Sequence, residues 1–66
     1  MSKPIVSVIV TTYNRKKYLK ETIQSILNQT FSDFELIVVD NFSNYDFYQV
    51  IKEFNDLRIK PYQNKN

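Results

Sequence analysis

The 66-residue sequence contains no glycine, cysteine, histidine or tryptophan. At average usage a chain of this length would hold roughly four or five glycines. Their absence excludes the P-loop and the G-x-G-x-x-G loop, which both bring bare backbone against phosphate. Without cysteine there is no disulfide, no thiolate nucleophile and no cysteine-held zinc. Without histidine there is no imidazole base and no imidazole-held metal. Chemistry is left to carboxylates, hydroxyls, amides, phenols and cations. Long apolar runs are also missing, so no segment reads as a membrane span. Met1-Ser2-Lys3-Pro4 leads straight into a strand-like run with no signal-peptide pattern, so the expected location is cytoplasmic.

What is present has a globular balance, with 42% apolar residues and five Phe and five Tyr. Nine Lys/Arg against seven Asp/Glu give a net charge of +2, too little to argue for nucleic acid, and no nucleic-acid partner is expected. A chain of about 60 residues buries only about 60% of the surface that its unfolded form exposes. Small chains often add disulfides, metals or oligomerisation. With no cysteine or histidine, the expectation is a piece of a larger domain or a homodimer formed through uncovered sheet edges or helix faces.

Residues 5–10, Ile-Val-Ser-Val-Ile-Val, are β-branched and almost continuously apolar, the pattern of a strand covered on both faces. Pro4 suits its start. Thr11-Thr12-Tyr13-Asn14 then breaks the run. Asn14 reads as the N-cap of a helix over about 15–28, in which Leu19, Ile23, Ile26 and Leu27 form one apolar stripe. Asn28 is expected to end it in the left-handed conformation. Residues 31–34 read as a connector and 36–39 as a second buried strand ending at Asp40. Ser43 and Asp46 resemble a capping box for a second helix, whose stripe of Phe47, Val50, Ile51 and Phe54 runs to about residue 55. Residues 58–62 read as a third strand, shortened or placed at an edge by Pro61. The order β-α-β-α-β predicts an α/β fold, half of a Rossmann-like parallel sheet with right-handed crossovers, and so a truncated domain.

Open α/β sheets bind ligands outside the carboxyl ends of their strands. The two apolar strands here end in Thr11-Thr12-Tyr13-Asn14 and in Asp40-Asn41, so both polar groups face one crevice. Tyr13 offers a flat face to a base or sugar. Asp40 and Asn41 offer acceptors, and Asn41 also donors. Arg15, Lys16 and Lys17 put cations at the start of a helix, against its dipole, and an anion bound there would relieve the conflict. A nucleotide satisfies all of these demands. Each residue also has a plainer reading: Thr11 and Thr12 as a strand end, Tyr13 as a packing aromatic, Asp40 as a loop or helix cap, Asn41 as a turn residue, and the cations as a solvated face. Tyr45, Phe47 and Tyr48 read as core and rim.

Taken together, Val6-Ser7-Val8-Ile9-Val10-Thr11-Thr12-Tyr13-Asn14-Arg15 resembles the opening strand of family 2 glycosyltransferases, inverting enzymes of the GT-A fold. Residues 22–31, Thr-Ile-Gln-Ser-Ile-Leu-Asn-Gln-Thr-Phe, are similar to that family's first helix. Residues 33–40 are similar to the run into its acidic loop, and Arg58-Ile59-Lys60 to its third strand. The resemblance covers about residues 4–64. It implies a nucleotide-sugar donor, UDP- or dTDP-linked, with residues 1–66 as the N-terminal nucleotide-binding segment of a glycosyltransferase domain. Carried over by position, Thr11 bonds the base, Tyr13 stacks on it and Arg15 lies beside the base or phosphates. Asp40 and Asn41 occupy the family's Asp-Asp pair.

The sequence departs from the usual Asp-Asp-Gly-Ser by reading Asp40-Asn41-Phe42-Ser43. The resemblance implies an acceptor for the base N3–H at this position, which the Asn41 amide oxygen could supply without the help of charge. Phe42 is strained if its slot requires positive φ. The resemblance also implies a Mn or Mg ion held by an Asp-x-Asp motif, and a catalytic base, both beyond residue 66. No catalytic or metal-ligating residue is therefore expected in these 66 residues, which by themselves should transfer no sugar. The alternative is a self-associating α/β module without enzymatic activity.

Overall fold

The structure, a computed structural model, describes residues 6–29 and 33–65. Pro4 and Ile5 at the predicted strand start, Thr30 just before the predicted connector, Phe31 and Ser32 within it, and Asn66 lie outside the described residues. The elements run β1 (Val6–Thr12), α1 (Lys16–Leu27), β2 (Phe34–Asp40), α2 (Phe47–Lys52) and β3 (Ile59–Gln63). The strands form one parallel sheet in the order β1-β2-β3, as the β-α-β-α-β reading requires. This is the N-terminal portion of a Rossmann-like GT-A sheet. No helix among the described residues is long and apolar enough to cross a membrane.

Both connections join adjacent parallel strands in the same direction. Right-handed crossovers then put α1 and α2 on the same face of the sheet. The core lies on that face. Leu19 and Ile23 from α1 and Phe47, Val50 and Ile51 from α2 cluster with Phe34, Leu36 and Val38 of β2 and with Ile59 of β3. Leu19 and Ile23, four residues apart, are fully buried, which contributes about 1.5–3 kcal/mol for each side chain. Phe47 is buried, Tyr45 packs against the cluster and Tyr48 stands at the rim.

The expectation that the first strand is covered on both faces is corrected. β1 is an edge strand, with Val8 and Val10 turned toward the core and Ile9 65% exposed. The reason is topological: with both helices on one side, Ile9, Ile37, Val39 and Tyr62 occupy the uncovered face. β1 also continues through Thr11 and Thr12, because the ladder to β2 continues to the Thr12–Asp40 pair.

Three terminal signals resolve differently from the sequence reading. Arg15, not Asn14, is the N-cap of α1, and it makes no side-chain cap bond. Asn28 ends α1 at φ −84°, outside the left-handed region, while its side chain accepts from Gln24. Asp46 itself caps α2 by accepting from Gln49 N, which leaves Ser43 for another task. The helix α2 is shorter than its apolar stripe, and Phe54 packs on the core from the turn that follows. That turn reverses at Asn55, φ 49°. It leads to Asp56, whose carboxylate lies 2.7 Å from the Arg58 guanidinium. Side-chain hydrogen bonds from Arg58 hold Asp56 below the usual carboxylate range. Arg58 also lies 4.7 Å from the Phe34 ring centroid and accepts from Leu36 N through its carbonyl, so this turn fixes where β3 begins.

Candidate functional site

The carboxyl ends of the three strands form a polar row. Thr12 pairs with Asp40, and Asp40 with Gln63. Asp40 is fully buried, and a buried charge persists only when its acceptor sites are used. Here they are. One carboxylate oxygen accepts from Ser43 N at 2.8 Å and from Gln63 Nε2 at 2.9 Å. The other accepts from the Ser43 hydroxyl. The carboxylate thus folds the following loop back over the strand end, the local bonding that Asp favours at turns.

Ser43 Oγ also accepts the backbone N–H of Asn14 at 2.7 Å. In return Asn14 Oδ1 accepts from Asn44 N at 2.8 Å. Two reciprocal bonds therefore clasp the loop after β1 to the loop after β2. Asn14 and Phe42, each directly following a candidate site residue, adopt φ values of 52° and 66°. Asn tolerates that region, but a bulky residue such as Phe is strained in it. The sequence-based concern about Phe42 is thus realised in its backbone.

The clasp frames a hollow of about 300 Å³ lined by Thr11, Thr12, Tyr13, Arg15, Tyr18 and Asn41. Tyr13 and Tyr18 are each more than half exposed and present ring surface to it. The Arg15 guanidinium lies 5.1 Å from the Tyr18 ring centroid, a cation–π contact that holds the charge at the rim. A second hollow of about 490 Å³ is lined by Asn14, Arg15, Lys16, Lys17, Tyr18 and Glu21. The two share Arg15 and Tyr18. One is aromatic and amide-lined, the other cationic and set on the first turn of α1, where no acidic side chain offsets the dipole conflict.

Of the five residues selected from sequence, Thr11, Tyr13, Arg15 and Asn41 converge on the first hollow. Asp40 lies beneath it, bonded to the loop. Asn41 donates its backbone N–H to Thr12 O at 2.9 Å and accepts from Asn64 Nδ2 at 2.7 Å through its side chain. Sequence reasoning missed Tyr18, whose signal was its position three residues after Arg15 on the same helix face. It also left Thr12 out of the site. Thr12 is 6% exposed, and its Oγ1 has no partner among the described residues. A buried hydroxyl without a partner costs about 1–3 kcal/mol.

An aromatic, amide-lined hollow and a cationic hollow thus lie at the strand ends of a parallel α/β sheet, the place where open α/β folds bind ligands. The comparisons with known proteins identify the family. Residues 7–66 match the family model described as glycosyl transferase family 2, and the chain belongs to that family. An uncharacterized glycosyltransferase of Methanocaldococcus jannaschii is 54% identical over 82% of this chain and 19% of its own length. The GalNAc(5)-diNAcBac-PP-undecaprenol beta-1,3-glucosyltransferase of Campylobacter jejuni is 45% identical over 96% of this chain and 21% of its own. An Escherichia coli UDP-Glc:alpha-D-GlcNAc-diphosphoundecaprenol beta-1,3-glucosyltransferase is 36% identical over 83% and 22%. The chain spans about a fifth of the length of the curated relatives it matches.

Proposed function

We propose that residues 1–66 form the N-terminal nucleotide-binding segment of a glycosyltransferase and grip the nucleoside diphosphate of a sugar donor. The observation that carries this reading is the convergence of Thr11, Tyr13, Arg15 and Asn41 on one hollow that shares Arg15 with a cationic neighbour. The base stacks on Tyr13 in the first hollow. The phosphates meet Arg15, Lys16 and Lys17 in the second. Asp40 acts from beneath, holding the loop that carries Asn41.

The donor is UDP- or dTDP-linked, a reading supported by the UDP-Glc in the name of the E. coli relative. The longer protein, in the cytoplasm, passes the sugar to a hydroxyl acceptor with inversion. A bound Mn or Mg ion would neutralise the departing diphosphate. The described residues hold no group of three carboxylates fit for such an ion, and Asp40 is occupied by Ser43 and Gln63. By the family resemblance, the ion's ligands and the catalytic base belong to other parts of the longer protein, and the 66-residue chain alone is expected to turn over no donor.

Titration of UDP and dTDP into the chain, followed through the Tyr13 and Asn41 amides by NMR, tests the reading. Saturable shifts at both are expected, and their absence at millimolar nucleotide counts against a preformed site. A second reading, a self-associating module without catalysis, draws on the uncovered sheet face with its exposed Ile9 and Tyr62.

A further inference from the structure

Asn41 is held by a residue from the far edge of the sheet. Asn64 follows β3, and its backbone N–H donates to the Asp40 carbonyl at 2.8 Å, which fixes its place in the ladder. Its side-chain Nδ2 donates to Asn41 Oδ1 at 2.7 Å. The aromatic hollow lies on the other side of Asn41, against the end of β1 and the start of α1. A carboxamide carries its acceptor at one end and its two donors at the other. Drawing the oxygen toward β3 turns Nδ2 toward β1 and the hollow.

We propose that Asn64 makes Asn41 a hydrogen-bond donor to the bound base, so that the site reads a ring acceptor instead of the N3–H and takes a cytidine diphosphate as readily as a uridine diphosphate. The inference rests on the nucleotide reading above and deepens it. Uracil presents O2 and O4 as acceptors, and cytosine presents O2 and the N3 lone pair. A donor satisfies either ring. A carboxylate at position 41 is acceptor-only. It would suit uracil N3–H and would set lone pair against lone pair at cytosine N3. Asn64 is thus a specificity-determining residue that never touches the ligand.

The ratio of UDP to CDP affinity tests this, because both nucleotides carry the same diphosphate and any change in charge affects them alike. Titrations of the unsubstituted chain should give dissociation constants within about threefold of each other. In Asn64→Asp the new carboxylate only accepts, so it draws Nδ2 to itself and turns Oδ1 into the hollow. UDP should then be preferred by about tenfold, the worth of one neutral hydrogen bond gained or lost. Asn41→Asp should give the same preference. Asn64 is exposed, so its substitution leaves the fold intact. UDP binding with CDP tenfold weaker in the unsubstituted chain overturns this inference and leaves the nucleotide site standing. So does an unchanged ratio in Asn64→Asp. Absence of any nucleotide-dependent shift overturns the nucleotide site and this inference with it.

Discussion

Asn14 donates its backbone N–H to Ser43 Oγ at 2.7 Å, joining residues 29 positions apart. The bond ties the loop that carries Tyr13 to the loop that carries Asn41. Neither residue belongs to the hollow lined by Tyr13 and Asn41. Both decide how far apart its walls stand.

Ser43→Ala removes an acceptor from Asn14 and a donor from the buried Asp40. Leaving a buried polar partner unmatched costs about 1–3 kcal/mol. Urea unfolding should show a loss of that size, and UDP affinity should fall with it. A variant as stable as the unsubstituted chain would mean that water or another group replaces the hydroxyl, and that the clasp does not set the site.

Phe42→Gly should stabilise the chain. The left-handed conformation costs a non-glycine residue about 1–2 kcal/mol. Glycine returns part of that gain through its greater freedom in the unfolded chain, about 0.5–1 kcal/mol. Phe42 is 52% exposed at φ 66°, so little packing is lost. A net gain of about 0.5–1 kcal/mol is expected in thermal unfolding. A loss would show that the ring packs to more effect than its exposure suggests.

Leu36→Ala should unfold the chain at room temperature. Leu36 is fully buried on the central strand, between both helices and β3. Such truncations cost about 2–5 kcal/mol, much of the stability of so small a domain. Loss of the far-UV circular dichroism signal is the readout. Ile9→Lys, on the uncovered face, should change stability by no more than about 0.5 kcal/mol. It should instead abolish any dimer seen by sedimentation equilibrium.

The Asp56–Arg58 pair makes a prediction about pH. Asp56 titrates below its ordinary value of 3.8 because Arg58 hydrogen-bonds its charged form. A carboxyl with a lowered folded pKa adds stability above its unfolded pKa and loses it as pH falls through the folded value. The melting temperature of the unsubstituted chain should therefore exceed that of Asp56→Asn by a constant margin at neutral and mildly acidic pH. The margin should shrink only below about pH 3.8. The pair is partly solvent-exposed, so the margin is small and salt-sensitive. A margin that already closes near pH 5 would assign it to another group.

Much of the molecule was legible because the signals were periodic or local. The stripe of Leu19 and Ile23 and that of Phe47, Val50 and Ile51 both became core. The β-branched run before Thr11 became a strand, and the two polar strand ends met in one crevice. The capping signals failed for a physical reason. Asn14 and Ser43 each have groups that suit a helix N-terminus, but Asn14 bonds the loop after β2, and Ser43 bonds both Asn14 and the Asp40 carboxylate. Local propensity is a weak prior against a buried carboxylate that must be satisfied.

The sequence by itself determined the order of elements, the family, and the polar, aromatic and cationic residue types at the strand ends, since these depend on spacing and composition along one chain. Only the tertiary structure decided which of those residues line one hollow. Strand pairing put Asp40 at the centre of a row, where burial forces its oxygens onto Ser43 and Gln63. The same pairing brought Asn64 against Asn41 from 23 residues away. The missing glycines come to rest at one place: Phe42 takes a backbone conformation suited to glycine, held there by the bonds on either side of it.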